Sequence, residues 1–518
     1  MRFLTSLLLL IGLIANGARG SAAPSPLRFE ITLDHQVMPA SGRLFVVLGK
    51  TNVPEPRLTL NRTGADAPQA LGQDILDWTA KQPAILDSKT HSFPLTNLAQ
   101  LEPGDYFVQA LFDHNRDLRM ANAPGDFYSK VEKIHLDPAT ASNIRLTLTE
   151  QIPAEKLPPE TDLVKFVKLE SKLLSEFHHR PIFLRAGIVL PRDFQKNPKQ
   201  QYPLWILIGG LNTRFSSVTR MLEPSSRFQT TWQANDTPRF ILVLLDGAGP
   251  LGDPYYINSE NSGPYGDALL QELIPHIETK FRGLGKPGTR VLSGTSTGGW
   301  VSLALQIFHP TFFGGAWSSC PDPVDFRSLQ MVNLYEDSNA FIAPDGSERP
   351  SERDLSGKVT VTMREEVSAE NLLGRGNSYT TSGEQWGEWT AAFGPRGADG
   401  APAPIWDPVT GQIDQSVVEQ WKRFDLRLHL ERNWKTLAPL LKNKLHIASG
   451  EADEYYLNNA VHLLDQFLAG AKPSINAKIV YGPGKGHGWF DLPTKQMLKE
   501  MDAAVRRTQG QPAESGKD

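Results

Sequence analysis

Hydrophobic positions recur two apart in the first third of the chain. Leu27-Arg28-Phe29-Glu30-Ile31-Thr32-Leu33 alternates strictly, and the pattern returns in Tyr106 to Leu111 and in Ile144 to Leu148. Successive side chains of a strand point to opposite faces, so a period of two predicts strands with one buried and one wet face. Turn chemistry such as Glu102-Pro103-Gly104-Asp105 separates them, and no helical period intervenes. Residues 25–150 are therefore expected to form a small all-β sandwich.

Residues 151–162 carry Pro153, Pro158 and Pro159 among charges and predict an exposed connector. Beyond it the period changes. Near-continuous apolar runs now alternate with helical stretches: Ala186 to Leu190, Leu204 to Ile208, Phe240 to Leu245, Val291-Leu292 and Lys444 to Ala448. Such runs fit strands covered on both faces, as in a mainly parallel α/β sheet. Asp267 to Phe281 reads as a helix. This second domain is expected over 163–508, followed by a polar tail at 509–518. Within it, residues 321–443 interrupt the alternation with far more chain than a crossover needs. That insertion holds Trp386, Trp389, Trp406, Trp421 and Trp434, and fits either a wall or lid above a site or an elaboration packed on the flank.

The 518 residues carry a net charge of -4, with acids and bases mixed along the chain, so nothing favours nucleic acid as a partner. Arg2, the apolar run Phe3 to Ala15 and the small residues Ala18 to Ala23 have the layout of a secretory signal peptide over 1–22. The run falls short of the roughly 20 residues of a membrane span. A secreted or periplasmic protein without an integral membrane segment in the mature chain is expected. Cys320 is the only cysteine, which rules out an intramolecular disulfide and fits a packing role. Asp113-His114-Asn115-Arg116-Asp117 resembles the start of a calcium loop but lacks the sixth-position glycine and the later glutamate, so a solvated turn is expected. Asn61-Arg62-Thr63 and Asn235-Asp236-Thr237 fit glycosylation acceptors, relevant only to a eukaryotic secretory route.

Gly294-Thr295-Ser296-Thr297-Gly298 lies between the apolar Val291-Leu292 and the helical Trp300 to Leu305. A serine pinched between strand and helix needs small flanking residues before its hydroxyl can stand clear of the backbone, so Ser296 is the candidate nucleophile. A hydroxyl is a weak nucleophile at neutral pH and needs a histidine base held in one tautomer by an acid. Asp453 follows the strand Leu445 to Ala448, and His487 sits between Gly486 and Gly488 after the apolar Ile479 to Tyr481. Both occupy loops at strand carboxyl ends, in the chain order serine, acid, histidine. Glu451 is an alternative acid, and Asp453 alternatively caps the next helix. The oxyanion donors are expected to be the backbone N–H of Thr297 and that of Leu211, or second Gly210, in the Gly209-Gly210-Leu211-Asn212 turn.

These segments, with Tyr202 to Gly210 and Glu272 to Glu278, resemble the esterase D and feruloyl esterase group of α/β-hydrolases, which includes enterochelin esterases and secreted mycolyltransferases. The resemblance spans about 163–320 and 440–508. It implies an α/β-hydrolase fold with Ser296, Asp453 and His487 as triad and Leu211 and Thr297 as oxyanion donors. Two features depart from it: Gly209 stands where many members have histidine, and compact members lack the tryptophan-bearing insertion. The expected protein is a metal-independent exported serine esterase without a cofactor, acting on a small-molecule or carbohydrate ester of feruloyl or acetyl-sugar type. Acyl transfer to a sugar or lipid alcohol, and polysaccharide binding by the sandwich and the tryptophan-rich insertion of a protein whose hydrolase core is vestigial, are the alternatives. The oligomeric state is left open.

Overall fold

The computed structural model describes residues 26–34, 40–79 and 82–510, so the expected leader at 1–22 lies outside the described residues. The alternating segments become nine strands: β1 (Leu27–Leu33), β2 (Ala40–Gly49), β3 (Gln69–Trp78), β4 (Ala84–Asp87), β5 (His91–Phe93), β6 (Gly104–Asp113), β7 (Phe127–Ser129), β8 (Glu132–Leu136) and β9 (Ser142–Gln151). They belong to one sheet, ordered β4-β1-β9-β7-β6-β2-β3-β5 with β8 beside β6. Hydrogen bonds join them into one continuous sheet, and that sheet supplies both sides of a shared core. Phe29 and Ile31 of β1 and Leu146 of β9 meet Leu44 and Val46 of β2 and Val108 of β6 there. The opposite face of β2 is apolar too, at Phe45 and Val47. Water does not cover it.

The turn expected after β6 is exposed at Arg116 and Asp117, but its first residue is not. Asp113 is 2% exposed and ion-pairs with Arg119, whose guanidinium also donates to the Leu373 and Thr381 carbonyls. Asp126 accepts the His114, Asn115 and Ala123 amides beside it, and burial and Asp113 push its carboxyl up to about 8. The segment is an anchor of one half of the molecule on the other.

The second sheet has eight strands: β10 (Val164–Glu170), β11 (Phe183–Val189), β12 (Leu204–Ile208), β13 (Ile241–Leu245), β14 (Arg290–Ser296), β15 (Gly315–Pro321), β16 (Leu445–Gly450) and β17 (Lys478–Gly482). Their order is β10-β11-β13-β12-β14-β15-β16-β17. Pairings are antiparallel up to β13 and parallel from there on. This is the α/β-hydrolase arrangement, and every residue of β13 and β15 is buried. The helix expected to end at Phe281 is present, with its final part α1 at Ile274–Phe281. A wide π turn at Leu269–Leu273 precedes it, where Pro275 has no N–H to continue the regular ladder. Helix α2 (Thr297–Phe308) is buried almost all round between the sheet and the insertion.

The insertion builds helices α3 (Met363–Leu373), α4 (Gln385–Phe393) and α5 (Leu426–Leu441). Trp386, Trp389, Trp406 and Trp421 are each at most 1% exposed and belong to the main core, so they are packing residues rather than a wet stacking platform. Trp386 meets Trp389 and Trp406 edge to face at 4.8 and 4.9 Å. Ala369, Leu372 and Leu373 of α3 cover Phe45 and Val47 of β2. Arg43 sits fully buried in this contact, donating to Leu372 O at 2.7 Å, Asn377 Oδ1 at 2.8 Å and Asp74 Oδ1 at 2.9 Å. Helices α6 (Asn458–Gly470) and α7 (Thr494–Thr508) complete the layers. Among the described residues no helix is long and apolar enough to cross a membrane.

Candidate active site

Strand β14 ends at Ser296, whose φ of 59° and ψ of -124° place it in strained backbone, and α2 starts at the next residue. The flanking glycines explain why the chain can turn there. A Cβ on Gly294 would lie 2.2 Å from Gly298 O, and one on Gly298 would lie 2.2 Å from Ile208 O. Any side chain at either position forces strand and helix apart.

Asp453 follows β16 and is fully buried. Its Oδ1 accepts the amides of Tyr455 at 3.0 Å and Leu457 at 3.4 Å, while Oδ2 lies 3.0 Å from His487 Nδ1. The carboxylate thus caps the turn into α6 and holds the imidazole at once. Glu451 is exposed and makes no side-chain contact with His487 among the described residues. The His487 amide donates to Glu454 Oε2 at 2.5 Å, and its ring meets Tyr455 edge-on at 4.9 Å. A Cβ on Gly486 would lie 2.5 Å from that Glu454 oxygen, so glycine is required for the approach. Burial opposes charging the imidazole, but Asp453, then Asp322 and Glu454, outweigh it, and the His487 pKa is raised.

Ser296 and His487 front one cavity of about 440 Å³. No hydrogen bond joins them among the described residues. The Ser296 hydroxyl donates instead to Asp322 Oδ1 at 3.3 Å. Asp322 follows β15 and is 1% exposed; its Oδ2 accepts from Tyr255 Oη at 2.6 Å, Trp389 Nε1 at 3.0 Å and Gln385 Nε2 at 3.4 Å.

Gly210 and Leu211 line the same cavity. A Cβ on Gly210 would stand 3.5 Å from the Ser296 Cβ, so this turn passes directly beside the serine. The Leu211 N–H forms no hydrogen bond among the described residues. Thr297 is buried at the first position of α2, its hydroxyl 3.3 Å from Tyr255 Oη. At Gly209 a Cβ would collide with the Thr213 Cβ at 2.2 Å, which explains why no histidine stands there.

Cys320, Asp453 and His487 are the one group of three donors near enough to share a metal ion among the described residues. The Nδ1–Oδ2 hydrogen bond already joins two of them, and burial raises the pKa of the Cys320 thiol, so the third is protonated. This is a proton-linked pair beside a packed thiol.

The rest of the wall was not legible in the sequence. Glu352, Glu366, Glu370, Glu384 and Trp389 of the insertion line the cavity, and Asn61 and Thr63 reach it from the N-terminal region. Among the described residues no lysine or arginine lines it. Burial raises all four glutamates; Glu352, also beside Glu366, and Glu384, despite Arg119 and Asn212, reach about 7. One of the missed residues had a signal: Asp322 stands at the carboxyl end of the strand beside the serine's, where sites of such sheets collect.

The sequence profile of the family described as "Putative esterase" matches residues 184–462, more than half of the chain. The chain belongs to this family. The esterase is also similar to a ferulic acid esterase, at 14% identity over 63% of this chain and 91% of that one, with a TM-score of 0.39. An S-formylglutathione hydrolase from Agrobacterium tumefaciens is 12% identical over 68% of this chain and 96% of its own, TM-score 0.34. The fluorophosphonate-binding serine hydrolase F of Staphylococcus aureus is 12% identical over 66% and 98%, TM-score 0.37. Among curated proteins none matches.

Proposed function

We propose that this esterase is an exported serine hydrolase that cleaves neutral carboxylic esters of feruloyl or acetyl-sugar type through an acyl-enzyme on Ser296. One observation carries the reading: His487 Nδ1 lies 3.0 Å from the buried Asp453 Oδ2, and the same imidazole shares a cavity with a serine on a strained elbow. Asp453 fixes the tautomer that leaves Nε2 as the acceptor. On substrate binding the Ser296 hydroxyl turns from Asp322 to Nε2, and its oxygen attacks the ester carbonyl as its proton passes to the imidazole. The Leu211 and Thr297 N–H groups donate to the oxyanion, and the imidazolium then protonates the leaving alcohol. Water, deprotonated by the same imidazole, releases the acid and restores the serine.

The carboxyl-rich, cation-free wall supports a substrate that is not an anion, since a negative acyl group would enter with no counter-charge. The apolar run after Arg2 supports export to a secreted or periplasmic location. The test is fluorophosphonate labelling together with turnover of acetyl-sugar, feruloyl and aryl esters by the wild type and Ser296→Ala. Both signals should vanish in the variant while its melting temperature stays within a degree or so. Turnover retained without Ser296 refutes the mechanism.

A further inference from the structure

Asp322 is the carboxylate nearest the proposed nucleophile, and the acyl-enzyme scheme does not use it. Four side-chain donors converge on it: Ser296, Tyr255, Trp389 and Gln385. A group surrounded only by donors is held as an acceptor; burial raises the Asp322 carboxyl, and the Tyr255 and Trp389 donors and the His487 charge pull it back. Two further acids feel its charge, Asp253 and Glu388; both are fully buried and raised by burial first, Asp253 to about 7 and Glu388 well above its usual value. Of the three, Asp322 is the one on which the side-chain donors converge. His487 faces Asp453, Glu454, the Tyr455 ring and the Cys320 thiol on its own side of the cavity, and Asp322 from the serine's side.

We propose that Asp322 is a positioning residue of the esterase reaction, parking the Ser296 hydroxyl in the resting site and giving the His487 imidazolium a second negative partner. The inference rests on the reading of Ser296 as nucleophile and His487 as base. No proton is gained or lost at Asp322. When the serine proton moves to His487 Nε2, the positive charge forms between two carboxylates rather than beside one, and the serine leaves its hydrogen bond to Asp322 as it attacks.

The test is the pH profile of kcat/KM for wild type and Asp322→Asn, with fluorophosphonate labelling of both. Asparagine keeps the shape, accepts from Tyr255 and Trp389 through its oxygen, and removes the charge. The midpoint of the acid limb should fall by roughly half to one pH unit, at or below the low end of what an adjacent opposite charge commands, with labelling retained. An unmoved midpoint in a folded, labelled variant overturns the proposal. Should Asp322→Asn fail to fold, Tyr255→Phe decides: it withdraws the 2.6 Å donor, raises the carboxyl's own pKa, and should move the limb the same way by less. An unmoved limb there overturns the proposal equally. Failure of wild-type labelling is a different result, because it removes the serine esterase reading itself.

Discussion

Replacing Glu384 by glutamine should make the folded protein less sensitive to alkaline pH. Burial raises this carboxyl from 4.5 to about 7, with Arg119 and Asn212 pulling it partly back. A pKa raised on folding means the native state holds its proton more tightly than the unfolded chain. The stability from that proton is fully present below about pH 4.5 and is lost as pH rises through about 7. A difference of about 2.5 at about 1.4 kcal/mol for each pH unit gives roughly 3.5 kcal/mol as the ceiling. Glutamine has the acid's shape, can keep the hydrogen bond to Asn212, and does not titrate. With an unfolding entropy of about 2.1 cal/mol/K per residue, a chain of 518 residues has roughly 1 kcal/mol/K in total, so the ceiling corresponds to about 3 °C. Thermal melts at about pH 5 and pH 8 should show the Gln variant gaining up to that amount on the wild type at the higher pH alone. An equal gap at both pH values would falsify the assignment of a raised carboxyl at this wall.

Other outcomes follow from the same geometry. Gly210→Ala places its Cβ in ordinary contact with Ser296 and should cost only a few-fold in kcat, whereas Gly210→Val fills the carbonyl's position and should cost about 100-fold or more. The raised His487 pKa means the base is neutral only at higher pH, so kcat/KM should decline toward acid with a midpoint above 6.5; a midpoint below that value contradicts the Asp453 and Asp322 charges described. Succinyl esters should turn over at least 10-fold worse than matched acetyl esters, because no lysine or arginine among the described residues lines the cavity. Asn61→Ala should raise KM for a bulky sugar ester and leave p-nitrophenyl acetate alone; equal effects on both would show that Asn61 does not touch the larger substrate.

The parallel sheet was readable from the sequence because its strands are apolar on both faces, and the elbow because Gly294 and Gly298 have a steric reason to be glycine. His487 and Asp453 were readable because strand ends and loop positions locate them without knowledge of packing. Asp322 was not singled out, since its meaning lies in Tyr255, Trp389 and Gln385, which are far away in the chain. Period-two alternation could not tell one sheet from two, because both bury alternate side chains. Nor could it show that the outer face of β2 is covered, since Phe45 and Val47 look like ordinary strand residues until α3 lies on them. Of the two places open to the insertion the structure uses both: Trp389 and four glutamates wall the cavity, while Trp386, Trp406 and Trp421 pack in the core.

The contact at Arg43 closes an engineering route that the proline-rich connector offers on sequence alone. Cutting at 151–162 and keeping the catalytic half would bare Ala369, Leu372 and Leu373, and would strip the Leu372, Leu373 and Thr381 carbonyls of guanidinium donors. Glu366, Glu370 and the rest of α3 would lose their backing, and with it the shape of the mouth through which substrate enters. The front piece therefore braces the cavity it also lines at Asn61 and Thr63, and exchanging it for another would reshape that wall.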